Sequence, residues 1–208
     1  MTVELRAYIE STTDLEPNLA RAYEDAEEFG LDAPDVLTGQ LLTTLVANAR
    51  AQAAIAVTPA LNVAGLYLLA GLTEYGILTC IDPEPEHQRL AKLIFREAGY
   101  PHTRIRFLPS RPLDVMGRLA NKSYQIIYAE VAPMDITTLV DAALPLLSPG
   151  GSLVLPDVLY DGTLTDETRH DPDTRATREA DDYIRSLSGA HVCRLPLGTG
   201  MTIVTKIQ

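Results

Sequence analysis

The sequence predicts an α/β protein with a doubly wound, mostly parallel sheet of seven strands, closed by an antiparallel pair at its C-terminal end. Two observations support this prediction. From about residue 53, short apolar runs alternate with segments of helical periodicity, which gives five successive strand-then-helix units. The last two apolar runs, 191–195 and 201–206, are joined by the five residues 196–200. That connection is too short for a crossover, so these two strands must be antiparallel.

The first 50 residues predict an N-terminal helical extension of two helices, and residues 53–208 an α/β core, within a single domain spanning 1–208. The first helix has Pro17 in its opening turn and ends before Gly30. The second begins after Pro34, and its leucines repeat at four-residue spacing over 35–47.

The core elements follow in chain order. Strands are predicted at 54–58, 77–81, 105–108, 124–129, 152–155, 191–195 and 201–206. Helices are predicted at 66–72, 84–98, 113–119, through 139–147, and at 166–186. Gly99 marks the end of one helix, and the run from Pro149 to Gly151 breaks another before the fifth strand.

Composition excludes several classes of function. There are 17 Lys+Arg against 28 Asp+Glu, a net charge of -11, which disfavours a nucleic-acid partner. No apolar run approaches the length of about 18 residues that a membrane span needs, and the N-terminus lacks the pattern of a signal peptide. Cys80 and Cys193 are too few for a disulfide framework. We therefore expect a soluble cytoplasmic protein without a membrane partner.

Candidate binding residues follow the strands, because ligands of doubly wound sheets bind over the carboxyl ends of the strands. Asp82 closes the second strand and could accept the hydroxyls of an adenosine ribose, or cap the helix that follows. The turn from Thr58 to Gly65 lacks the early glycines that let a backbone approach a cofactor. Pro59 also removes a donor, whereas Asn62 tolerates a left-handed conformation.

Two further acids lie at neighbouring strand ends. Glu130 closes the fourth strand and Asp157 follows the fifth. They form an incomplete metal site at best, and solvated loop acids are the alternative. Tyr128 and Tyr160 flank the same region and could line an aromatic pocket or pack in the core. The four histidines face no suitable nucleophile and are predicted to be structural or exposed.

Five stretches carry a family resemblance: Leu-Thr-Cys-Ile-Asp-Pro-Glu-Pro-Glu-His at 78–87, Arg-Pro-Leu-Asp-Val at 111–115, Ser-Tyr-Gln-Ile-Ile-Tyr at 123–128, Leu-Ser-Pro-Gly-Gly at 147–151 and Leu-Pro-Leu-Gly-Thr-Gly at 195–200. In this order and spacing they resemble the bacterial, particularly actinobacterial, S-adenosylmethionine-dependent O-methyltransferases of the catechol O-methyltransferase-like family. The resemblance covers roughly residues 25–206. It implies N-terminal helices, a seven-stranded Rossmann-like methyltransferase sheet with a reversed last strand, and a homodimer.

The resemblance also implies roles for single residues. Asp82, followed by Pro83, corresponds to the acid that binds the ribose of the cofactor. Leu37 corresponds to a position that contacts the cofactor, and Arg111 and Pro112 to positions at the adenine.

The first-turn motif of the family is altered in this chain. Ala56 replaces its Glu, Thr58 and Pro59 replace Gly-Thr, Asn62 replaces the next Gly, and Ala64 a Ser. Each lost hydrogen bond to a charged group costs about 1.5–3 kcal/mol, so cofactor binding by this turn is predicted to be about 10²–10⁴ weaker unless other groups compensate.

The metal-binding acids of the family are altered as well. Glu130 is retained, but Ala132 stands at the neighbouring position and Pro156-Asp157 where an Asp-Asn pair is expected. Metal-assisted deprotonation is therefore doubtful, and Glu130 is the candidate base.

The leading prediction is an S-adenosylmethionine-dependent O-methyltransferase acting on a small hydroxylated acceptor. The alternative is a catalytically lapsed relative that serves as a dimeric binding or regulatory module, as the altered positions suggest. A nicotinamide-dependent oxidoreductase is disfavoured, since the first turn lacks its glycine fingerprint and the C-terminal strands are antiparallel.

Overall fold

A seven-stranded sheet organises residues 3–208, the part of the chain that the computed structural model describes. Its strands are β1 (Ala53–Val57), β2 (Ile77–Ile81), β3 (Ile105–Leu108), β4 (Tyr124–Ala129), β5 (Leu147–Leu155), β6 (Ala190–Leu195) and β7 (Met201–Lys206). Their spatial order is β3-β2-β1-β4-β5-β7-β6. The first five strands run parallel to their neighbours, whereas β7 is antiparallel to both β5 and β6. The predicted doubly wound sheet with its reversed C-terminal pair is confirmed.

The helices cover both faces of this sheet. They are α1 (Val3–Ser11), α2 (Pro17–Glu28), α3 (Val36–Asn48), α4 (Leu61–Gly71), α5 (Pro85–Glu97), α6 (Pro112–Val115), α7 (Ile136–Ala143) and α8 (Pro172–Ser186). Short 3₁₀ turns lie at 102–104, 116–118, 133–135 and 160–165. Within residues 3–208 no helix combines the length and the apolar character needed to cross a membrane.

The N-terminal region has one helix more than the two predicted. α1 was missed because it buries no residue, so it carries no apolar stripe that a sequence pattern reveals. An ion pair of 2.6 Å between Arg6 and Asp35 ties it to the start of α3. Asp35 also caps α3, accepting a hydrogen bond from the backbone nitrogen of Thr38.

Two core helices begin elsewhere than predicted. α4 starts at Leu61 rather than at 66, because it is buried on nearly every side and its sequence has no amphipathic period. α8 starts at Pro172 rather than at 166, where Asp171 caps it through the backbone nitrogen of Thr174. Asp161 has a positive φ within the preceding turn.

The core lies on the two faces of the sheet, as the alternation along β1 shows. Ala54 and Ala56 pack into one cluster beneath α4 and α5, and Ile55 and Val57 into the other against α7 and α8. With both faces covered, the carboxyl edge of β1, β2 and β4 is the edge at which ligands of such sheets bind.

Candidate functional site

Two cavities meet at the carboxyl edge of the sheet. The smaller, here called the Asp82 cleft, has a volume of about 230 Å³ and lies at the ends of β1, β2 and β4. The larger, here called the α8 cavity, has a volume of about 540 Å³ and lies between residues 32–38, the ends of β4 and β5, α8 and the turn at 197–201. Glu130 and Val131 line both.

The structure brings six of the predicted site residues together in the Asp82 cleft. They are Thr58, Pro59, Asp82, Pro83, Pro112 and Glu130. Their convergence follows from parallel strands, whose carboxyl ends meet at one edge although up to 72 residues separate them in sequence, as between Thr58 and Glu130.

Asp82 directly follows β2 and is nearly buried, with its side chain 7% exposed. Its Oδ2 lies 2.6 Å from Nδ1 of His87, and its main-chain oxygen accepts a hydrogen bond from Gln88. Its Oδ1 accepts one long bond, of 3.4 Å, from the backbone nitrogen of Glu84. Since a carboxylate offers about four acceptor positions, Asp82 retains capacity for ligand hydroxyls. The N-cap position of α5 is occupied by Glu84, whose side chain makes no capping hydrogen bond, so the prediction of Asp82 as the N-cap residue is wrong.

The turn that follows β1 lacks early glycines, and side-chain hydrogen bonds of Thr58 close it instead. Thr58 is buried, and its hydroxyl accepts from the backbone nitrogen of Ala60 at 3.1 Å and donates to Oε2 of Glu130 at 2.8 Å. Pro59 is half-buried in the wall of the cleft. The turn therefore needs no left-handed residue, and none of residues 57–64 has a positive φ.

Four predicted cofactor positions lie outside the lining of both cavities. Asn62 is buried in the first turn of α4, where its amide nitrogen donates to the main-chain oxygen of Ala22. Ala64 lies in the core. Leu37 is half-buried on α3, and Arg111 is exposed before α6. Their contact with a cofactor stays a prediction.

Glu130 is the group whose acid–base chemistry the fold alters most clearly within this site. Its backbone nitrogen donates to the oxygen of Val57, which fixes it at the end of β4. Its pKa is raised to about 7, chiefly by burial, against the hydrogen bond from Thr58 that lowers it; the negative charges of Asp32 and Asp157 add to the increase. A carboxyl group with this pKa is ionised in about half of the molecules near neutral pH, which suits a general base.

One carboxylate oxygen of Asp157 has a structural role. Its Oδ1 accepts from the backbone nitrogen and the hydroxyl of Thr199, at 2.7 and 3.0 Å. Residues 3–208 contain no group of three His, Cys, Asp or Glu side chains that could hold a metal ion. Oε2 of Glu130 accepts a hydrogen bond from Thr58 as well. The acids present therefore do not fit the metal site that the family resemblance implies, and we assign no step to a metal.

Sequence reasoning missed several polar residues of the α8 cavity, among them Arg6, Asp32 and Thr177. Arg6 lies on the helix that was not predicted. Thr177 belongs to the segment predicted as a helix over 166–186, and it is buried and lines the cavity. Of the two predicted aromatic candidates, Tyr160 lines this cavity and Tyr128 is buried in the core. Thr174 and Thr177, three residues apart in a charged helix, were the available signal for an inward face.

A doubly wound sheet with a reversed C-terminal hairpin, with acids at the ends of β2 and β4, defines a methyltransferase-type α/β protein. The sequence profile of the O-methyltransferase family matches residues 33–207. The chain belongs to the O-methyltransferase family.

Individual relatives and solved structures are similar to this chain over at least 90% of its length. A family member from Mycolicibacterium vanbaalenii is 38% identical over 188 residues, which cover 90% of this chain and 83% of the relative. A crystal structure of a protein from Corynebacterium glutamicum is 62% identical, with a TM-score of 0.96 over 99% of this chain and 96% of that one. The O-methyltransferase TomG of Streptomyces achromogenes, involved in tomaymycin synthesis and crystallised with S-adenosylmethionine, has the same fold, with 22% identity and a TM-score of 0.88 over 100% of both chains.

Proposed function

We propose that this protein is an S-adenosylmethionine-dependent O-methyltransferase that methylates a small hydroxylated acceptor. The observation that carries the proposal is the position of Glu130, which lines both the Asp82 cleft and the α8 cavity. A base at this junction is adjacent to both a nucleoside site and a second site large enough for an acceptor. The family assignment and the S-adenosylmethionine held by TomG support the same activity.

The residues of the Asp82 cleft fit the nucleoside half of the cofactor. Asp82 has a free acceptor position for the ribose hydroxyls, and Pro83 and Pro112 supply apolar walls. The cleft alone, at about 230 Å³, is smaller than the roughly 300–1,000 Å³ of most ligand pockets. It adjoins the α8 cavity at Glu130 and Val131, and the two together have ligand size.

The chain's own residues supply positioning and proton transfer. S-adenosylmethionine, when bound, supplies an electrophilic methyl group. Glu130 takes the proton of the acceptor hydroxyl, and Thr58 orients the Glu130 carboxylate through its bond to Oε2. The apolar side chains of Val131 and Ile136 line the α8 cavity beside Glu130. Apolar walls lower the local dielectric constant, which strengthens electrostatic interactions. Holding the reactants in line contributes the larger part of the rate enhancement in such a transfer.

The lapsed binding module is the weaker candidate. This alternative was based on the replacement of family residues in the turn after β1. In the structure one of the replacements, Thr58, donates a hydrogen bond to Glu130, so this replacement supports the candidate base rather than removing chemistry.

Calorimetric titration with S-adenosylmethionine and S-adenosylhomocysteine, with and without magnesium, tests the proposal first. We expect micromolar binding that does not depend on magnesium, followed by methyl transfer in a screen of hydroxylated acceptors. A Glu130→Gln protein is the matched control, since it should bind the cofactor and fail to transfer the methyl group. If neither compound binds up to millimolar concentration, the chain is a lapsed relative.

We further infer a homodimer that functions in the cytoplasm. The homodimer is implied by the resemblance, and exposed apolar side chains on α1, such as Val3 and Tyr8, support it. The free thiols of Cys80 and Cys193 suit a reducing compartment. Light scattering should give twice the chain mass of 22.7 kDa, and a monomer mass would contradict the inference.

A further inference from the structure

The α8 cavity carries an excess of negative charge. Five charged side chains line it: Arg6, Asp32, Asp35, Glu130 and Asp157. The guanidinium of Arg6 lies 2.6 Å from Asp35 and also pairs with Glu10, so its charge is already neutralised. Within the described part of the chain, the other three carboxyl groups form no ion pair.

Thr177 supplies an independent indication of a ligand. Its side chain lines the same cavity, is 1% exposed, and leaves its hydroxyl without a hydrogen-bond partner. Thr174, one turn earlier on α8, is equally buried, and its hydroxyl donates to Asp171 at 2.9 Å. A buried hydroxyl without a partner is unfavourable unless a bound molecule supplies one.

Much of the remaining wall is apolar, and the volume is that of a small molecule. Val131, Ile136, Val158 and Met201 line the cavity between the acids. Its volume of about 540 Å³ lies within the roughly 300–1,000 Å³ of ligand pockets. An occupant therefore has an apolar body, a group that hydrogen-bonds to Thr177, and a charge opposite to that of the acids.

We propose that the methyl acceptor is a small hydroxylated compound that also carries a protonated amine. Its hydroxyl faces Glu130, its ammonium group is attracted by Asp32 and Asp157, and a polar group pairs with Thr177. This inference rests on the proposed function, since it names the substrate class of the same site. An anionic compound of equal size meets three unpaired carboxyl groups and is repelled.

Three phenols of similar size and different charge test the proposal: tyramine, para-ethylphenol and para-hydroxyphenylpropionate. Each is titrated by calorimetry into the protein saturated with S-adenosylhomocysteine, and each is assayed for methyl transfer from S-adenosylmethionine. We expect tyramine to bind about tenfold more tightly than para-ethylphenol, and the propionate to bind most weakly. The reason is that an exposed or half-buried charge pair changes the affinity by about tenfold.

Variants that remove one negative charge show which acids produce the preference for tyramine. Asp32→Asn and Asp157→Asn should each reduce the advantage of tyramine about threefold and leave para-ethylphenol unchanged. Asn at 157 keeps an oxygen for Thr199 and tolerates the positive φ of that position, so the variant removes little but the charge. Glu74→Gln, at an exposed residue that lines neither cavity, is the matched control.

The hydroxyl of Thr177 has its own variants. Thr177→Val should weaken tyramine binding about tenfold, and Thr177→Ser should restore it. Equal affinities for the three phenols, tighter binding of the propionate, or no binding of tyramine overturns the amine proposal while cofactor binding stands. Failure of S-adenosylhomocysteine to bind, with no transfer to any phenol, instead overturns the proposed function.

Discussion

The hydroxyl of Thr58 donates to Oε2 of Glu130 at 2.8 Å, across the neighbouring ends of β1 and β4. The same hydroxyl accepts from the backbone nitrogen of Ala60, so its orientation is set by the first turn. Glu130 is thereby held by an element that packs beside its own strand, and the other carboxylate oxygen accepts no hydrogen bond from the described residues. Thr58, a residue of the first turn, thus positions the candidate base.

Glu130→Gln should abolish methyl transfer and leave cofactor binding intact. The wild-type rate should rise with pH through a midpoint of about 7, since the carboxylate is the basic form and burial raises its pKa to about 7. The variant should show no such midpoint. Initial rates across the pH range, together with calorimetry on S-adenosylhomocysteine, check both statements. Unchanged turnover by the variant would falsify the assignment of Glu130 as the base.

The same substitution should stabilise the protein above neutral pH. The folded pKa of about 7 exceeds the unfolded value of 4.5, so the unfolded chain loses its proton first as the pH rises. The free energy of unfolding of the wild-type protein therefore decreases as the pH rises from 4.5 to about 7. The Glu130→Gln protein does not lose this stability, because glutamine cannot ionise. Urea unfolding should show the variant to be more stable by up to about 3 kcal/mol at about pH 8 and by little at about pH 4. An equal difference at both pH values would contradict this account.

Thr58→Val should move the activity profile to higher pH. The hydrogen bond from Thr58 lowers the pKa of Glu130, so its removal raises that pKa above about 7. Thr58→Ser retains the hydroxyl and serves as the matched control. A loss of stability alone would lower the rate at every pH, whereas the positioning role shifts the midpoint. If the Val and Ser proteins share the wild-type midpoint, Thr58 does not act on Glu130.

Most of the sheet could be predicted because its strands carry strong local patterns. β2 is a nearly continuous apolar run that ends at Asp82, and its observed bounds, Ile77–Ile81, match the prediction. α1 and the start of α4 could not be predicted, because α1 buries no residue and α4 is buried on nearly every side. Neither has the period of an amphipathic helix.

The site was predictable only in part, for a different reason. Asp82 and Glu130 lie at strand ends, and the parallel topology places such residues at one edge. The bond from Thr58 to Glu130 and the inward hydroxyl of Thr177 depend on packing between segments far apart in sequence. No spacing along the chain encodes these contacts.

Asp82→Asn should weaken binding of S-adenosylhomocysteine about 10–100-fold, because an amide accepts hydrogen bonds from ribose hydroxyls less strongly than a carboxylate. Glu84→Gln, at an exposed acid two residues away, is the control and should bind normally. His87→Gln tests the pair at 2.6 Å, and we expect a smaller loss because the Asp82 carboxylate stays in place. Wild-type affinity in the Asp82→Asn protein would show that the acid does not contact the cofactor.

Gly198→Ala should destabilise the protein more than Gly150→Ala, although both glycines have a positive φ. At Gly150, φ is 77° and an added Cβ meets nothing within 4 Å, so the cost is that of the left-handed backbone alone, about 1–2 kcal/mol. At Gly198, φ is 58° and the Cβ would lie 2.5 Å from Oδ1 of Asp157, the oxygen that holds Thr199. Either the Asp157 carboxylate must then release Thr199 or the turn between β6 and β7 must shift, for a total cost of about 2–4 kcal/mol.

Urea unfolding of the two glycine variants, with their m-values compared, measures this difference. The Gly198→Ala protein should also lose affinity for acceptors, since Gly198 and Asp157 both line the α8 cavity, whereas Gly150→Ala should not. Equal destabilisation by the two substitutions would mean that the Asp157 carboxylate moves aside freely. In that case Asp157 would not hold the turn that closes the α8 cavity, and the acceptor affinity of Gly198→Ala should remain that of the wild type.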